Sequence, residues 1–432
     1  MTIRNSDVRG RPAGLQVRSA RKALYVGNFE FPDGNAAGKR VAGNLKLLQR
    51  VGYQTAAIGV SRNMTSGSGL SEAVTIDAVV TRNLPYPEGL KGWARVGSAY
   101  RQVRSFLDED PFGREVSLVI FYGSPVASLF CLLLIRACRR RRIRIVSDCV
   151  DWLSVSTRSP VFDAIKFADN LLQKRLANTR VDGVICVSRY LADYYERHGL
   201  TTIVIPPTAG VEDSVDAVPA TRQESREKRL LYAGKPFRPD MKKDSVRALK
   251  DRIDVVLRIL RQLKAEGCSF KLNVYGFREG ELLDVLPSLT STLEALGDSA
   301  VFHGQVSSEE VFAALAVADF SVLVRDVKRE TLSGFPTKVA ESIRQGVPVL
   351  VTDIGDISEY VSDGVHGFLL APTDFDAQCA GIRKALTLTH AELAGMRNAC
   401  LHSMAFREET YAPPFVGFLR ALGLVSEPAE QH

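Results

Sequence analysis

Short apolar runs alternate with longer runs of helical periodicity along nearly the whole chain, and that alternation predicts a parallel sheet covered by helices on both faces. The unit that repays closest reading lies between Phe320 and Thr352. Phe320 to Val324 reads as a buried strand, Arg325 to Gly334 as a polar loop at its carboxyl end, and Val347 to Thr352 as the next strand. Between them a helix is expected from near Phe335. Pro336 suits its first turn, where a missing N–H costs nothing, and Gly346 stops it. Such a start offers the N–H groups of Thr337 and Lys338 and the positive end of the helix dipole to a phosphate or diphosphate. Lys338 adds a mobile cation. Glu341, three residues on, shares its face and could accept hydrogen bonds from a ribose diol. The plainer alternative is that Lys338 and Glu341 are only a surface pair.

Two sets of alternating elements are expected. The first holds strands at Ala23–Gly27, Thr55–Val60, Val116–Tyr122, Ile143–Ser147, Gly183–Val187 and Thr202–Ile205, with Ala73–Val80 read as one further element. Helices are expected over Pro125–Cys138 and Ser188–His198, with Leu171–Thr179 a further element in the alternation. The second set holds strands at Leu230–Ala233, Lys271–Tyr275 and Val301–His303, then the stretch described above. Its helices are Ile253–Leu263, one long run Glu281–Leu296, and Ser308–Ala318. The expected organisation is therefore a basic tail (1–22), a first Rossmann-like domain (23–210), a linker rich in Glu, Asp, Ser and Arg (211–228), a second Rossmann-like domain (229–405) and a last helix returning toward the first domain (406–432).

Other loops also fall at strand ends. After Gly27 the chain runs through a glycine-rich loop containing Gly34, Asn35 and Gly38 before Lys39 and Arg40, where backbone amides can approach a ligand closely. A Walker A loop needs four residues between its glycines and Ser or Thr after Lys, whereas Gly34 and Gly38 enclose three and Arg40 follows. A GxGxxG fingerprint is absent as well, so neither an NTPase nor an NAD enzyme is expected. Asp148 and Asp151, the latter beside Trp152, follow the Ile143–Ser147 strand as ligand-facing carboxylates or as simple caps.

The formal net charge of +7 raises nucleic acid as a partner, but no aromatic-interleaved basic reader motif accompanies it, and none is expected. Arg139 to Arg142 with Arg144 form a basic cluster after the apolar run Val126–Ile135. It reads either as a solvated helix tip or as a patch for anionic lipid. Seven scattered cysteines without a CxxC pair, a polar N-terminus and no apolar run of spanning length suggest a cytoplasmic protein, peripheral to the membrane at most. Six histidines without HxxH or HExxH spacing point away from zinc.

The run Gly334-Phe335-Pro336-Thr337-Lys338 with Glu341-Ser342, preceded by Arg325 and Arg329, resembles the donor-site segment of GT-B glycosyltransferases of the retaining family 4 type, in particular the polysaccharide-assembly branch with a GFPTK helix start. The more familiar members carry a glutamate at the position of Ser333. The resemblance implies two facing Rossmann-like domains and a nucleoside-diphosphate sugar as donor, with no cofactor or metal. Among its carried-over roles, Asp151, Lys250 and Arg325 are catalytic, Lys250 being preferred over Lys242-Lys243 for the family's lysine. Gly34, Asn35, Lys235, Arg329, Ser333, Gly334, Thr337, Lys338 and Glu341 bind the donor. The implied function is transfer of a sugar to a glycan or lipid-linked acceptor in polysaccharide or glycolipid biosynthesis. A sugar-nucleotide epimerase of the same fold and a non-catalytic sugar-nucleotide-binding component are the alternatives.

Overall fold

The computed structural model describes residues 21–32, 34–65, 68–87, 96–123, 128–152, 160–208, 227–237, 241 and 243–425, with backbone only at 160–163. The expected basic tail and linker lie outside these residues except for their last two positions each. In the first sheet the strands are β1 (Arg21–Gly27), β2 (Tyr53–Ser61), β3 (Val74–Ile76), β4 (Val79–Pro85), β5 (Val116–Tyr122), β6 (Arg144–Cys149), β7 (Gly183–Cys186) and β8 (Thr201–Val204). Their order is β3-β4-β2-β1-β5-β6-β7-β8. Helices α1 (Ala36–Arg50), α2 (Val96–Glu109), α3 (Ser128–Arg141), α4 (Pro160–Leu172) and α5 (Arg189–Glu196) accompany it. All pairings are parallel except β3 with β4. The stretch Ala73–Val80, expected as one element, is two: Asp77 and Ala78 both take positive φ (50° and 60°) and fold it into a tight hairpin.

The second sheet is wholly parallel, in the order β11-β10-β9-β12-β13-β14. Its strands are β9 (Lys228–Ala233), β10 (Phe270–Tyr275), β11 (Ala300–Gly304), β12 (Phe320–Leu323), β13 (Val349–Thr352) and β14 (Gly367–Leu370). Around it lie α6 (Ile253–Ala265), α7 (Glu279–Val285), α8 (Thr290–Leu296), α9 (Ser308–Val317), α10 (Arg329–Ser333), α11 (Thr337–Arg344), α12 (Ile357–Tyr360), α13 (Phe375–Leu386) and α14 (His390–His402), and α15 (Glu408–Ala421) follows them in the chain. The run Glu281–Leu296, expected as one helix, is broken into α7 and α8. Pro287 supplies no N–H and holds Leu286 out of helical geometry (φ −125°, ψ 65°).

Both sheets reverse direction beside their first strand. β1 lies between β2 and β5, and β9 lies between β10 and β12. Loops leaving the carboxyl ends of these strands diverge there and open the crevice in which such sheets bind ligands. The two reversal points face each other, because residues of both domains bond across the gap described below.

Packing fixes that arrangement. Helix α15 crosses back, and its Phe415, Phe418 and Leu419 are buried with Val41 and Leu45 of α1 and Ile203 of β8. The C-terminal helix thereby completes the core of the first domain. No helix among the described residues is long and apolar enough to cross a membrane.

Candidate active site

Helix α11 starts at Thr337 instead of Phe335, and Pro336 stands before it as an extended cap residue (φ −75°, ψ 111°). The delay follows from packing: Phe335 is tucked against Tyr360 and Phe406, with ring centroids 5.3 and 5.6 Å away. The short helix α10, not anticipated from the sequence, takes up the preceding residues. The first turn of α11 then presents the N–H groups of Thr337 and Lys338 outward, as helix geometry requires.

Lys338 reaches back across the end of β9. Its Nζ donates to Asp251 Oδ2 at 2.7 Å and lies 4.6 Å from the centre of the Tyr232 ring. Asp251 also accepts from Tyr232 OH (2.9 Å) and, through Oδ1, from Arg325 Nε (2.8 Å). Burial by itself would raise the Asp251 carboxyl, but Lys338 and Arg325 outweigh it and hold that group well below the usual carboxylate range. Burial pulls the Lys338 ammonium down, against the pull of Asp251. Gly234, at φ +137°, makes this reach possible: a Cβ there would stand 2.3 Å from Lys338 Nζ. Two cations thus share one carboxylate. The cluster carries one positive charge in excess at a helix N-terminus, which is a design for an anion.

Across the gap stands Asp151, just past β6. Burial pushes its carboxyl up, while Lys250, Lys174 and Arg325 pull the other way. Lys250 is exposed and Arg325 nearly covered, and both lie close enough for their charges to act on Asp151 from the other domain. Gly334 borders the same place, with Asp151 Oδ1 3.7 Å from where its Cβ would be. The guanidinium of Arg329 lies 5.6 Å from the Trp152 ring centre. Glu341 also faces the first domain: its Oε1 accepts from Lys39 Nζ of α1 at 2.8 Å.

Several expected ligands have other partners. Ser333, fully buried, accepts from the Trp152 N–H at Oγ (3.0 Å) and from the Ser188 hydroxyl at its carbonyl (2.7 Å). Its polar groups link the two domains as an interdomain clasp, a role not expected from the sequence. Asn35 caps α1, its Oδ1 accepting from Gly38 N–H at 2.8 Å, and Gly34 packs on Glu30. Both shape the glycine-rich loop. Arg40 leaves the loop altogether and is buried on Asp148, which also accepts from Tyr25 and Asn44. Lys235 pairs with Glu281 (2.6 Å), both side chains well exposed. The arginine cluster is largely spent internally: Arg139 donates to the Arg180 carbonyl, Arg141 pairs with Asp108 and Arg144 with Asp182.

Asp251, Tyr232 and Lys39 were given no role in the site from the sequence, and Gly234 counted only as the residue before Lys235. Asp251 was visible there only as the neighbour of Lys250. A strand tyrosine and a following glycine give no local signal of a lysine arriving from a hundred residues downstream. Among the described residues, no group of three or more His, Cys, Asp or Glu is arranged to hold a metal ion.

Residues 245–388 match the family model described as glycosyl transferases group 1. A lipopolysaccharide 1,2-N-acetylglucosaminetransferase of Salmonella typhimurium is 27% identical over 162 residues, 36% of this chain and 39% of that relative. The matched stretch thus spans about two fifths of the relative's length. Among solved structures, sucrose-phosphate synthase from Thermosynechococcus elongatus superposes with a TM-score of 0.68 at 15% identity, covering 94% of this chain and 100% of that one. The catalytic domain of starch synthase IV from Arabidopsis thaliana, bound to ADP and acarbose, also gives 0.68, at 11% identity over 94% and 100%. The chain therefore has the GT-B fold, two facing Rossmann-like domains, with a segment at 245–388 that matches the glycosyl transferases group 1 model.

Proposed function

We propose that this protein is a glycosyltransferase that moves a sugar from a nucleoside-diphosphate donor to a glycan or lipid-linked acceptor, in polysaccharide or glycolipid biosynthesis. The observation that carries the reading is the Asp251–Arg325–Lys338 cluster. It sets surplus positive charge at the start of α11 and opposite Asp151. Lys338, Arg325 and Lys250, with the helix N-terminus, would stabilise the departing diphosphate. Charge aimed where charge develops is the largest catalytic term such a site can supply. Asp151, on the first-domain side, would meet the acceptor hydroxyl. Retention of configuration is proposed from the family 4 resemblance. Closure of the domains would exclude water that otherwise hydrolyses the donor. Contact with an anionic membrane surface belongs to the same proposal: Arg139, Arg140, Arg142 and Arg144 are exposed, Arg139 and Arg144 being also bonded within the protein, and vesicle sedimentation of Gln variants of Arg140 and Arg142 tests it.

Calorimetry with UDP, GDP, ADP and dTDP tests the donor site. One of them is expected to bind, and Lys338→Ala or Glu341→Ala to weaken it at least about tenfold with the fold intact. Unchanged affinity in both variants would remove the site from the reading. One observation favours a second reading, a non-catalytic sugar-nucleotide-binding component: the clasp role of Ser333 leaves the sugar without the carboxylate that familiar relatives place there. Donor binding without either transfer to an acceptor panel or slow donor hydrolysis would decide for it.

A further inference from the structure

The Lys39–Glu341 ion pair joins the first turn of α1 in one domain to the second turn of α11 in the other. Each side chain is 18% exposed, so the pair lies in the gap and not on the outer surface. Lys39 Nζ is further held 4.8 Å from the centre of the Phe312 ring on α9. Glu341 is the carboxylate to which the donor reading gives the ribose diol. A vicinal diol that grips a carboxylate uses both oxygens, and Lys39 already occupies Oε1. Ligand and lysine therefore draw on the same oxygen. Glu341 lies one helical turn from Lys338, so an ammonium displaced from it is next to the place where the diphosphate would sit.

We propose that Lys39 is a donor-binding residue that exchanges partners: it holds Glu341 while the site is empty and transfers to the donor diphosphate when the ribose takes its place. The inference rests on the donor reading above and adds a first-domain residue to that site. It requires opposite effects on two ligands. For a nucleoside, which offers the diol and no phosphate, Lys39 is only a competitor. For the nucleoside diphosphate it is a competitor that becomes a ligand.

The test uses the full chain and the best-binding member of the diphosphate panel with its matching nucleoside. Calorimetry follows the diphosphate and ligand-observed NMR the nucleoside, since the latter reads millimolar affinities. In Lys39→Met the nucleoside is expected to bind about threefold tighter, the gain from removing a competing, partly covered ion pair. The diphosphate is expected to bind about tenfold weaker, the loss of one charge-assisted contact. Lys39→Arg should restore most of the diphosphate affinity. A ratio of the two affinities within twofold of wild type, or equal weakening of both ligands, overturns the exchange and leaves Lys39 a structural strut. If the wild-type chain binds none of the four diphosphates, the donor reading itself falls, and this inference with it.

Discussion

Each domain buries an aspartate against a tyrosine of its own first strand, and the two clusters differ in what they leave over. In the first domain, Asp148 accepts from Tyr25 of β1 (2.5 Å), from Asn44 and from both Nε and Nη2 of Arg40, whose Nη1 closes on the Ile205 carbonyl (2.9 Å). One cation meets one anion, and Arg40 and Asp148 are 5% and 1% exposed. In the second, Asp251 accepts from Tyr232 of β9 and from two cations, one of which, Lys338, keeps a quarter of its side chain exposed. The first cluster is a closed lock between β1, α1 and β6. The second, with the same ingredients, has a charge to spare and an open side. A neutral buried network stabilises and specifies, whereas an unbalanced one at a helix N-terminus waits for a ligand.

That contrast can be broken most sharply at Asp148. Asp148→Ala leaves Arg40 buried without its partner and should cost about 3–5 kcal/mol in urea unfolding. Nucleoside-diphosphate affinity of the folded protein should barely move; a loss below about 1 kcal/mol would deny the lock. Asp251→Asn should cost less, about 2–3 kcal/mol, because Lys338 can turn to water.

The pH dependence of stability separates Asp251 from Asp151. The Asp251 carboxyl is depressed in the folded chain, so its contribution is present above the unfolded carboxylate value of about 4 and is lost as pH falls through the folded one. Asp251→Asn should therefore flatten the acid side of the curve. Asp151 is shifted the other way, so its ionisation opposes folding as pH rises from about 4 toward its folded value. Asp151→Asn should stabilise the protein at neutral pH. An unchanged acid limb in the first variant, or a loss in the second, would contradict the assigned environments.

Gly234→Ala sharpens the comparison at the open cluster alone. It strains a φ of +137° and pushes Lys338 Nζ off its seat, for an expected loss of about tenfold in diphosphate affinity. The smallest effect is expected at Lys235. Already paired with the exposed Glu281, it should leave affinity within about twofold when changed to Ala, and a larger loss would return it to the site.

Much of this was legible in order along the chain. The strand–loop–helix–strand run around Lys338 and Glu341 was read correctly as a unit, because period, proline and glycine are local signals. The start of α11 was displaced because Phe335 is claimed by Tyr360 and Phe406, partners no window of sequence contains. Lys235 and Ser333 were read as ligands from their loops, and Arg40 as part of a loop that a ligand can reach. Each loop does lie at a strand end, but a long or hydroxylated side chain can turn to any of several partners, and packing chose Asp148, Glu281 and the backbone of Trp152.

By itself, then, the sequence determined the succession of strands and helices and the loops that a ligand can reach, since hydrophobic period and backbone chemistry act over a few residues. Only the tertiary structure decided which charges are spent and which remain. Lys338 and Arg325 are brought to Asp251 from 87 and 74 residues away, and Lys39 to Glu341 from 302. The balance of charge in a buried site is a sum over such neighbours, and that sum exists only after the chain has folded.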